Sequence, residues 1–163
     1  MAAGTAPQSL SVREVSRDNC TLGRAMAILG ERWTVVVLRE VFLGMRRFED
    51  IRRRSGIPRQ VLATRLATLV EHGLLEKVPY REAGARERHE YRLTPRGLDL
   101  QPVLIAVTQW GDRHLADPDG PPLRFAHRDC EAPVRVELVC DEGHRIASPR
   151  EIAGRPGPGA RRT

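Results

Sequence analysis

Three groups of residues in this chain have types and spacings that could do chemistry. The first is a cluster of hydrogen-bond donors. Arg46, Arg47, Arg52, Arg53 and Arg54 precede Arg59, Gln60, Thr64 and Arg65. On a helix, Gln60 and Thr64 stand one turn apart, with Arg59 and Arg65 beside them. A glutamine amide can bond an adenine edge, an arginine a guanine edge, and a threonine can touch a thymine methyl. Surrounding arginines can meet phosphates, which fixes orientation without reading sequence. The second group is His127, Cys130, Cys140 and His144, two Cys/His pairs with the spacing to hold a tetrahedral zinc. Such a zinc would be structural, because four protein ligands leave no open position. The other reading of these four is a small β appendage with incidental Cys and His. The third is Cys20, taken up below. None of the groups pairs a nucleophile with a base, and no phosphate-binding loop is present, so no enzyme is expected.

Bulk composition agrees with recognition of a polyanion. The formal net charge is +6 and the sequence pI about 10.2, which favours nucleic acid or an anionic membrane surface as partner. Lys77 is the only lysine, so the positive charge is almost entirely arginine. Hydrophobic residues make up 40% of the chain and aromatics only 4%, so a core of Leu, Val, Ile and Ala is expected. No apolar run approaches the ~18 residues of a membrane span. The opening MAAGTAPQSLSVREV lacks a basic region followed by an apolar stretch, so it does not read as a secretory leader. Three widely spaced cysteines do not make a disulfide framework. A cytoplasmic protein is the expectation.

The elements that must position these residues follow from periodicity. Residues 1–15 read as a disordered tail. Leu22, Ala25, Met26 and Leu29 recur at helical spacing, with Asp18 or Asn19 as cap and Gly30 as interruption. Trp33–Leu43 carries a β-branched run that would suit a buried strand. Its length, and Gly44 directly after it, favour a buried helix. Phe48 and Ile51 mark a short helix ended by Ser55-Gly56. A second helix runs from about Pro58 to His72, with Leu62, Leu66, Leu69 and Val70 as its stripe and Gly73 after it. Two helices joined by a tight glycine-containing turn are the helix-turn-helix pattern. Residues 74–80 and 88–93 alternate as strands around a charged tip, which predicts a hairpin wing. Thr94 and Pro95 start a further helix through Leu98, Leu100, Val103, Leu104, Val107 and Trp110 that fades near residues 112–116.

The expected fold is therefore mainly α with a small β wing, a winged helix-turn-helix over residues 16–116. Residues 117–122 read as a linker. Residues 123–152 form a small extension, with Val134, Val136 and Leu138 alternating as a strand between the Cys/His pairs in a zinc-ribbon-like arrangement. Residues 153–163 read as a flexible basic tail. In this frame Arg46, Arg47, Arg53 and Arg54 face phosphates. Arg59, Gln60, Thr64 and Arg65 meet base edges, and Arg86 and Arg88 of the wing reach the neighbouring minor groove or its phosphates. The plain alternative is a solvated basic face. Between Arg32 and Arg65, however, nine arginines stand against Glu40, Glu49 and Asp50, a large excess for solvation alone.

The chain also resembles a known family. Cys20-Thr-Leu-Gly-Arg-Ala-Met-Ala-Ile-Leu-Gly30-Glu-Arg-Trp33-Thr34 is similar to the opening of HxlR-type transcriptional regulators. So are RRFEDIRRRSGIPRQVLATRLATLVEHGLLEK and YRLTPRGLDLQPVL, and the likeness runs from about Cys20 to Trp110. Thr21 departs from the family's usual proline, and Glu31-Arg32 widens the usual spacing before the tryptophan. The resemblance implies a homodimer that binds double-stranded operator DNA as a bacterial repressor or activator. The dimer would be built from helices near 19–29 and 95–115, and a two-fold dimer suits a palindromic operator.

Some members of that family carry a redox- or electrophile-responsive cysteine where Cys20 falls. A helix N-terminus favours a thiolate, and Arg17 and Arg24 are near in sequence. The other reading of Cys20, and the favoured one, is a small residue filling the dimer interface. A small-molecule effector is a further option without a ligand to name. A winged-helix module that binds protein rather than DNA is the competing function class.

Overall fold

Two glycines with positive φ bound the basic helices. Gly56 (φ +69°) closes α3 (Phe48–Ser55), and Gly73 (φ +66°) follows α4 (Arg59–Glu71). At the second site Gly73 N–H donates to Val70 O (2.9 Å) and Leu74 N–H to Leu69 O (2.9 Å). That is a Schellman cap, which satisfies the last carbonyls of α4 and turns the chain into the wing. In the computed structural model, residues 10–84 and 86–163 are described. The first nine residues of the expected N-terminal tail, and Ala85 of the wing tip, lie outside them.

The described chain divides into two compact units, residues 26–136 and residues 10–25 with 137–163. The larger unit carries α2 (Arg32–Phe42), α3, α4, the strands β1 (Leu75–Tyr80) and β2 (Arg88–Leu93), and the helices α5 (Pro95–Leu98) and α6 (Gln101–His114). The ambiguous stretch around Trp33–Leu43 is a helix, and Thr34, Val37, Leu38, Glu40 and Val41 are its buried face. Val37, Leu38 and Val41 meet Ile51 of α3, Ile57 of the turn, and Leu62, Leu66 and Leu69 of α4 in one core that extends to Leu74 and Leu75. Each fully buried leucine or isoleucine contributes about 1.5–3 kcal/mol relative to exposure. The basic helices are thus held by aliphatic side chains on their inner faces only. Phe48 packs against the core while partly exposed.

β1 and β2 pair antiparallel, with Leu75 opposite Leu93 and Tyr80 opposite Arg88. The chain entering α3 adds to the outer edge of β2: Arg47 bridges Glu90, and Tyr91 N–H donates to Arg46 O (2.8 Å). The wing is therefore anchored to the start of the helix-turn-helix.

Three boundaries differ from the sequence expectation. The helix α1 (Thr21–Leu29), which straddles the two units, starts one to two residues later than a cap at Asn19 or Asp18 would place it. Cys20 rather than Asp18 or Asn19 takes the capping place: Arg24 N–H bonds its carbonyl (3.0 Å) and Gly23 N–H lies 3.4 Å from its Sγ. The helix expected from Pro95 onwards is broken into α5 and α6 at Asp99-Leu100. Pro102 causes the break, since it has no N–H for the Leu98 carbonyl and its ring would crowd that carbonyl. Residues 134–138 form no strand among the described residues; only the isolated bridges Ala126–Pro133 and Val139–Arg145 occur in the extension. The side-chain amide of Gln109 on α6 replaces a strand partner there. It donates to Val134 O (2.8 Å) and accepts from Val136 N–H (3.1 Å).

In the smaller unit, the end of the chain pairs with the start of the described N-terminal segment. Ser16 N–H donates to Arg161 O (2.7 Å), Thr163 N–H to Glu14 O (3.0 Å), and Arg162 pairs with the Glu14 carboxylate at 2.6 Å. The composition of 153–163, which suggests a flexible tail, does not reveal these nonlocal backbone bonds.

Candidate nucleic-acid interface

Helix α4 separates its faces cleanly. Leu62, Leu66 and Leu69 have no exposed surface, whereas Arg59, Gln60, Ala63, Thr64, Ala67 and Glu71 are exposed. The exposed residues form a continuous ridge that begins at the helix N-terminus. Pro58 is the residue before the first helical position, one place earlier than the sequence expectation. Thr64 Oγ1 donates to Gln60 O (3.0 Å), so its hydroxyl hydrogen is engaged by the backbone. Small Ala63 and Ala67 let a partner approach the helix axis closely. Arg65 is less accessible than the other expected base readers. Its side chain is 25% exposed and its Nη2 lies 3.8 Å from Glu31 Oε2 at the start of α2, while its Nε is buried without a partner.

A polar cleft of about 620 Å³ opens between α3, the start of α4 and the wing. Arg47, Arg53, Arg59, Arg88 and His89 line it, together with Glu49 and Asp50. Most of these cations are already held in place. Arg47 pairs with Glu82 of the wing tip (2.7 Å) and lies over the Tyr80 ring, 4.5 Å from its centroid. Arg53 pairs with Asp50 (2.6 Å). Arg59 bonds Glu49 Oε1 (2.6 Å), and Arg52 bonds Glu49 Oε2 (2.8 Å). Hydrogen bonding to Arg52 foremost, and then to Arg59, holds the Glu49 carboxyl below the usual carboxylate range. Arg46, Arg86 and Arg88 are exposed. Exposed ion pairs like these contribute at most about 1 kcal/mol each, so a phosphate can displace the carboxylate at small cost.

Arg54 is placed differently. Its Nε lies 2.7 Å from Oε2 of Glu40, a fully buried carboxylate on α2, at ion-pair distance but without hydrogen-bond alignment. Arg39 bonds the other oxygen of Glu40 through Nε (3.0 Å) and Nη2 (2.5 Å). The acidic partners are what sequence reasoning missed. The spacings of Glu49 to Arg52 and of Asp50 to Arg53 are legible as helical i,i+3 pairs. The Glu40–Arg54, Glu49–Arg59 and Arg47–Glu82 pairs depend on how elements pack, and no local pattern announces them.

The remaining candidates are divided between the two units. His127 Nδ1 is 3.3 Å from Cys130 Sγ in the larger unit. Cys140 and His144 belong to the smaller unit, where Cys140 N–H donates to His144 O (3.0 Å). Among the described residues, no three His, Cys, Asp or Glu side chains gather as they would around a metal ion. Cys20 is exposed. No helix of the described chain is long and apolar enough to cross a membrane.

Comparison with known proteins agrees with this geometry. The profile of the HxlR-like helix-turn-helix family matches residues 28–119. An uncharacterized HTH-type transcriptional regulator of Mycobacterium tuberculosis, Rv3095, is 44% identical over 139 residues, 85% of this chain and 87% of that protein. The crystal structure of PA1607, a candidate transcription factor, superposes with a TM-score of 0.72 at 33% identity over 81% of this chain and 92% of that one. A second candidate transcription factor, PA1374 from Pseudomonas aeruginosa, gives 0.60 at 31% identity over 87% of this chain and 95% of that one. With the family profile covering more than half of its length and a close relative along most of it, the chain belongs to the HxlR-like helix-turn-helix family and is a transcriptional regulator rather than an enzyme.

Proposed function

We propose that the protein is a homodimeric repressor that binds a palindromic operator in double-stranded DNA. The observation that carries this reading is the exposed ridge Arg59–Gln60–Thr64 at the start of α4, flanked by the arginine-lined cleft that leads to the wing. The N-terminal residues of a recognition helix meet base edges in the major groove, and the arginines beside it meet the backbone. Gln60 and Arg59 are the foremost base readers, with Thr64 next along the ridge and Arg65 at its flank. Arg46, Arg47, Arg53 and Arg54 serve the phosphates, and Arg86 and Arg88 carry the wing to the adjacent minor groove or its phosphates.

Dimerisation is supported by apolar surface that one copy leaves uncovered. On α6, Val103, Val107 and Trp110 follow each other at helical spacing and are each about half exposed. On α1, Leu22 and Met26 are similarly uncovered. A second copy placed on such faces would form a two-fold dimer, which suits a palindromic operator. Operator selection from random DNA, together with sedimentation of the protein alone, tests both parts.

A second reading adds a thiol signal. Cys20 is exposed and caps α1, so a change at its sulfur would act on a helix assigned to the dimer. Under this reading Cys20→Ser removes an oxidant response of DNA binding; a response that persists in the variant rules Cys20 out as the sensor.

A further inference from the structure

A cavity of about 230 Å³ lies between α2 and α6. Val36 and Phe42 of α2 and Leu104 and Ile105 of α6 form its walls, and Phe125, from the segment after α6, closes one side. The polar side chains that reach it are Arg39, Gln101 and Thr108. The Thr108 hydroxyl is already donated to Leu104 O (2.9 Å). Arg39 is therefore the one charged group of the lining, with Gln101 as a further polar side chain, and no carboxylate lines the cavity. Arg39 spends Nε and Nη2 on Glu40 Oε1. A guanidinium carries five N–H bonds in a planar fork, so donors remain for a second acceptor.

We propose that this cavity binds a small apolar monocarboxylic acid, with its chain or ring among the aliphatic walls and its carboxylate on Arg39. Pockets of about 300–1,000 Å³ hold drug-sized ligands, so this one fits a smaller molecule of about ten non-hydrogen atoms. The same arginine gives the site a route to the DNA face. Glu40 is shared between Arg39 at the cavity and Arg54 at the end of α3. A ligand carboxylate that takes Arg39 weakens its hold on Glu40 and leaves that buried charge to Arg54. This route rests on the DNA-binding reading; the binding site itself does not. If the acid alters operator affinity, operator DNA must alter acid affinity by the same factor.

The test is calorimetric titration of the full chain, without DNA, with 3-phenylpropanoate and octanoate. The controls are 3-phenylpropanamide and acetate. The expected result is saturable binding of at least one acid, weakened about tenfold or more in the amide, which loses the charge-assisted bonds, and absent for acetate, which lacks the apolar body. Thr108→Phe, which fills the cavity, should abolish binding, and Arg39→Gln should erase the preference for acid over amide. Because Arg39→Gln also loosens Glu40, Thr108→Phe decides the matter if the arginine variant fails to fold. No saturable binding, equal binding of the amide, or binding unchanged in Thr108→Phe overturns the proposal. A cavity filled by a side chain of a second copy would give the first of these results. Since no DNA is present, loss of the ligand site leaves the DNA reading standing, and the reverse also holds.

Discussion

The carboxylate of Glu40, with no exposed surface, sits 2.7 Å from the Nε of Arg54, so the last turn of α3 is tied to the last turn of α2 by charge as well as by the core. A buried carboxylate is costly unless paired, and Arg39 on its other side completes the pairing. Both arginines are more than half exposed, so water screens much of the attraction. Arg54→Ala should lower stability by about 1–2 kcal/mol, and Glu40→Ala, which also leaves a cavity, by about 2–4 kcal/mol. Denaturant unfolding of the two variants and of the double variant checks this; additive losses would mean that the pair does not interact.

Gly97 on α5 packs directly against the turn between α4 and β1. A Cβ at this position would stand 2.1 Å from Leu74 O, while Thr94 beside it donates to Gly73 O (2.6 Å) and caps α5 through Gly97 N–H (3.1 Å). The obstacle is backbone and cannot step aside. Gly97→Ala should cost about 1–3 kcal/mol or more and lower the melting temperature, whereas Gly111→Ala, in open space on α6, should not meet such a clash.

Base readers and phosphate contacts separate by how a substitution changes preference. Gln60→Ala should relax selectivity at one base pair of each half-site, a loss of about 1–3 kcal/mol of discrimination. Arg53→Ala should weaken binding to every sequence alike and reduce the slope of log affinity against log salt by about one. Competition titrations over single-base operator variants distinguish the two, and a changed preference in the Arg53 variant would make it a base reader.

Glu49 holds Arg52 and Arg59 in the free protein and must release them when the duplex arrives. Its carboxyl lies below the usual range in the free state because of those bonds, Arg52 first. Its contribution to folding is therefore present above the ordinary carboxylate value and is lost as pH falls through the depressed one. On DNA Arg52 is taken by phosphate and Arg59 by a base edge, the carboxyl returns upward, and binding takes up protons. Affinity should rise as pH falls towards about 4–5. Glu49→Gln should bind DNA about three- to tenfold more tightly at neutral pH and lose that part of the pH dependence. Fluorescence anisotropy at several pH values measures both effects, and unchanged affinity in the variant counts against Glu49 being displaced.

The uncovered stripe on α6 gives a direct check of assembly. Val103→Arg and Trp110→Arg place charge on half-exposed apolar positions, so neither should greatly disturb the monomer's core. Each should convert a dimer into monomers in sedimentation velocity and weaken operator binding by about a hundredfold, as two linked half-site contacts become one. A dimer that survives both changes uses another face.

Much of this architecture is legible because its causes are local. Gly73 after the leucine stripe of α4, Thr94-Pro95 before α5, and the alternation of Leu75–Tyr80 all act within a few residues. The buried side of α2 is less legible, because a β-branched run suits strand and helix alike and only packing decides. Pro102 signals the α5–α6 break, but its effect falls four residues upstream on Leu98. The extension is the least legible part. Val134 and Val136 alternate as a strand would, yet Gln109 from a distant helix supplies the hydrogen bonds that a neighbouring strand would make. Likewise the ridge Arg59–Gln60–Thr64 follows from helical spacing alone. The carboxylates that hold Arg54, Arg59 and Arg47 come from elsewhere in the fold.

The most direct measurement is selection of bound duplexes from a random DNA pool at physiological salt, using the full chain. An enriched palindrome with half-sites about one helical turn apart, or a multiple of it, is the predicted result. Binding that weakens steeply with salt but enriches no sequence would contradict a specific dimeric regulator and reduce the basic face to nonspecific attraction.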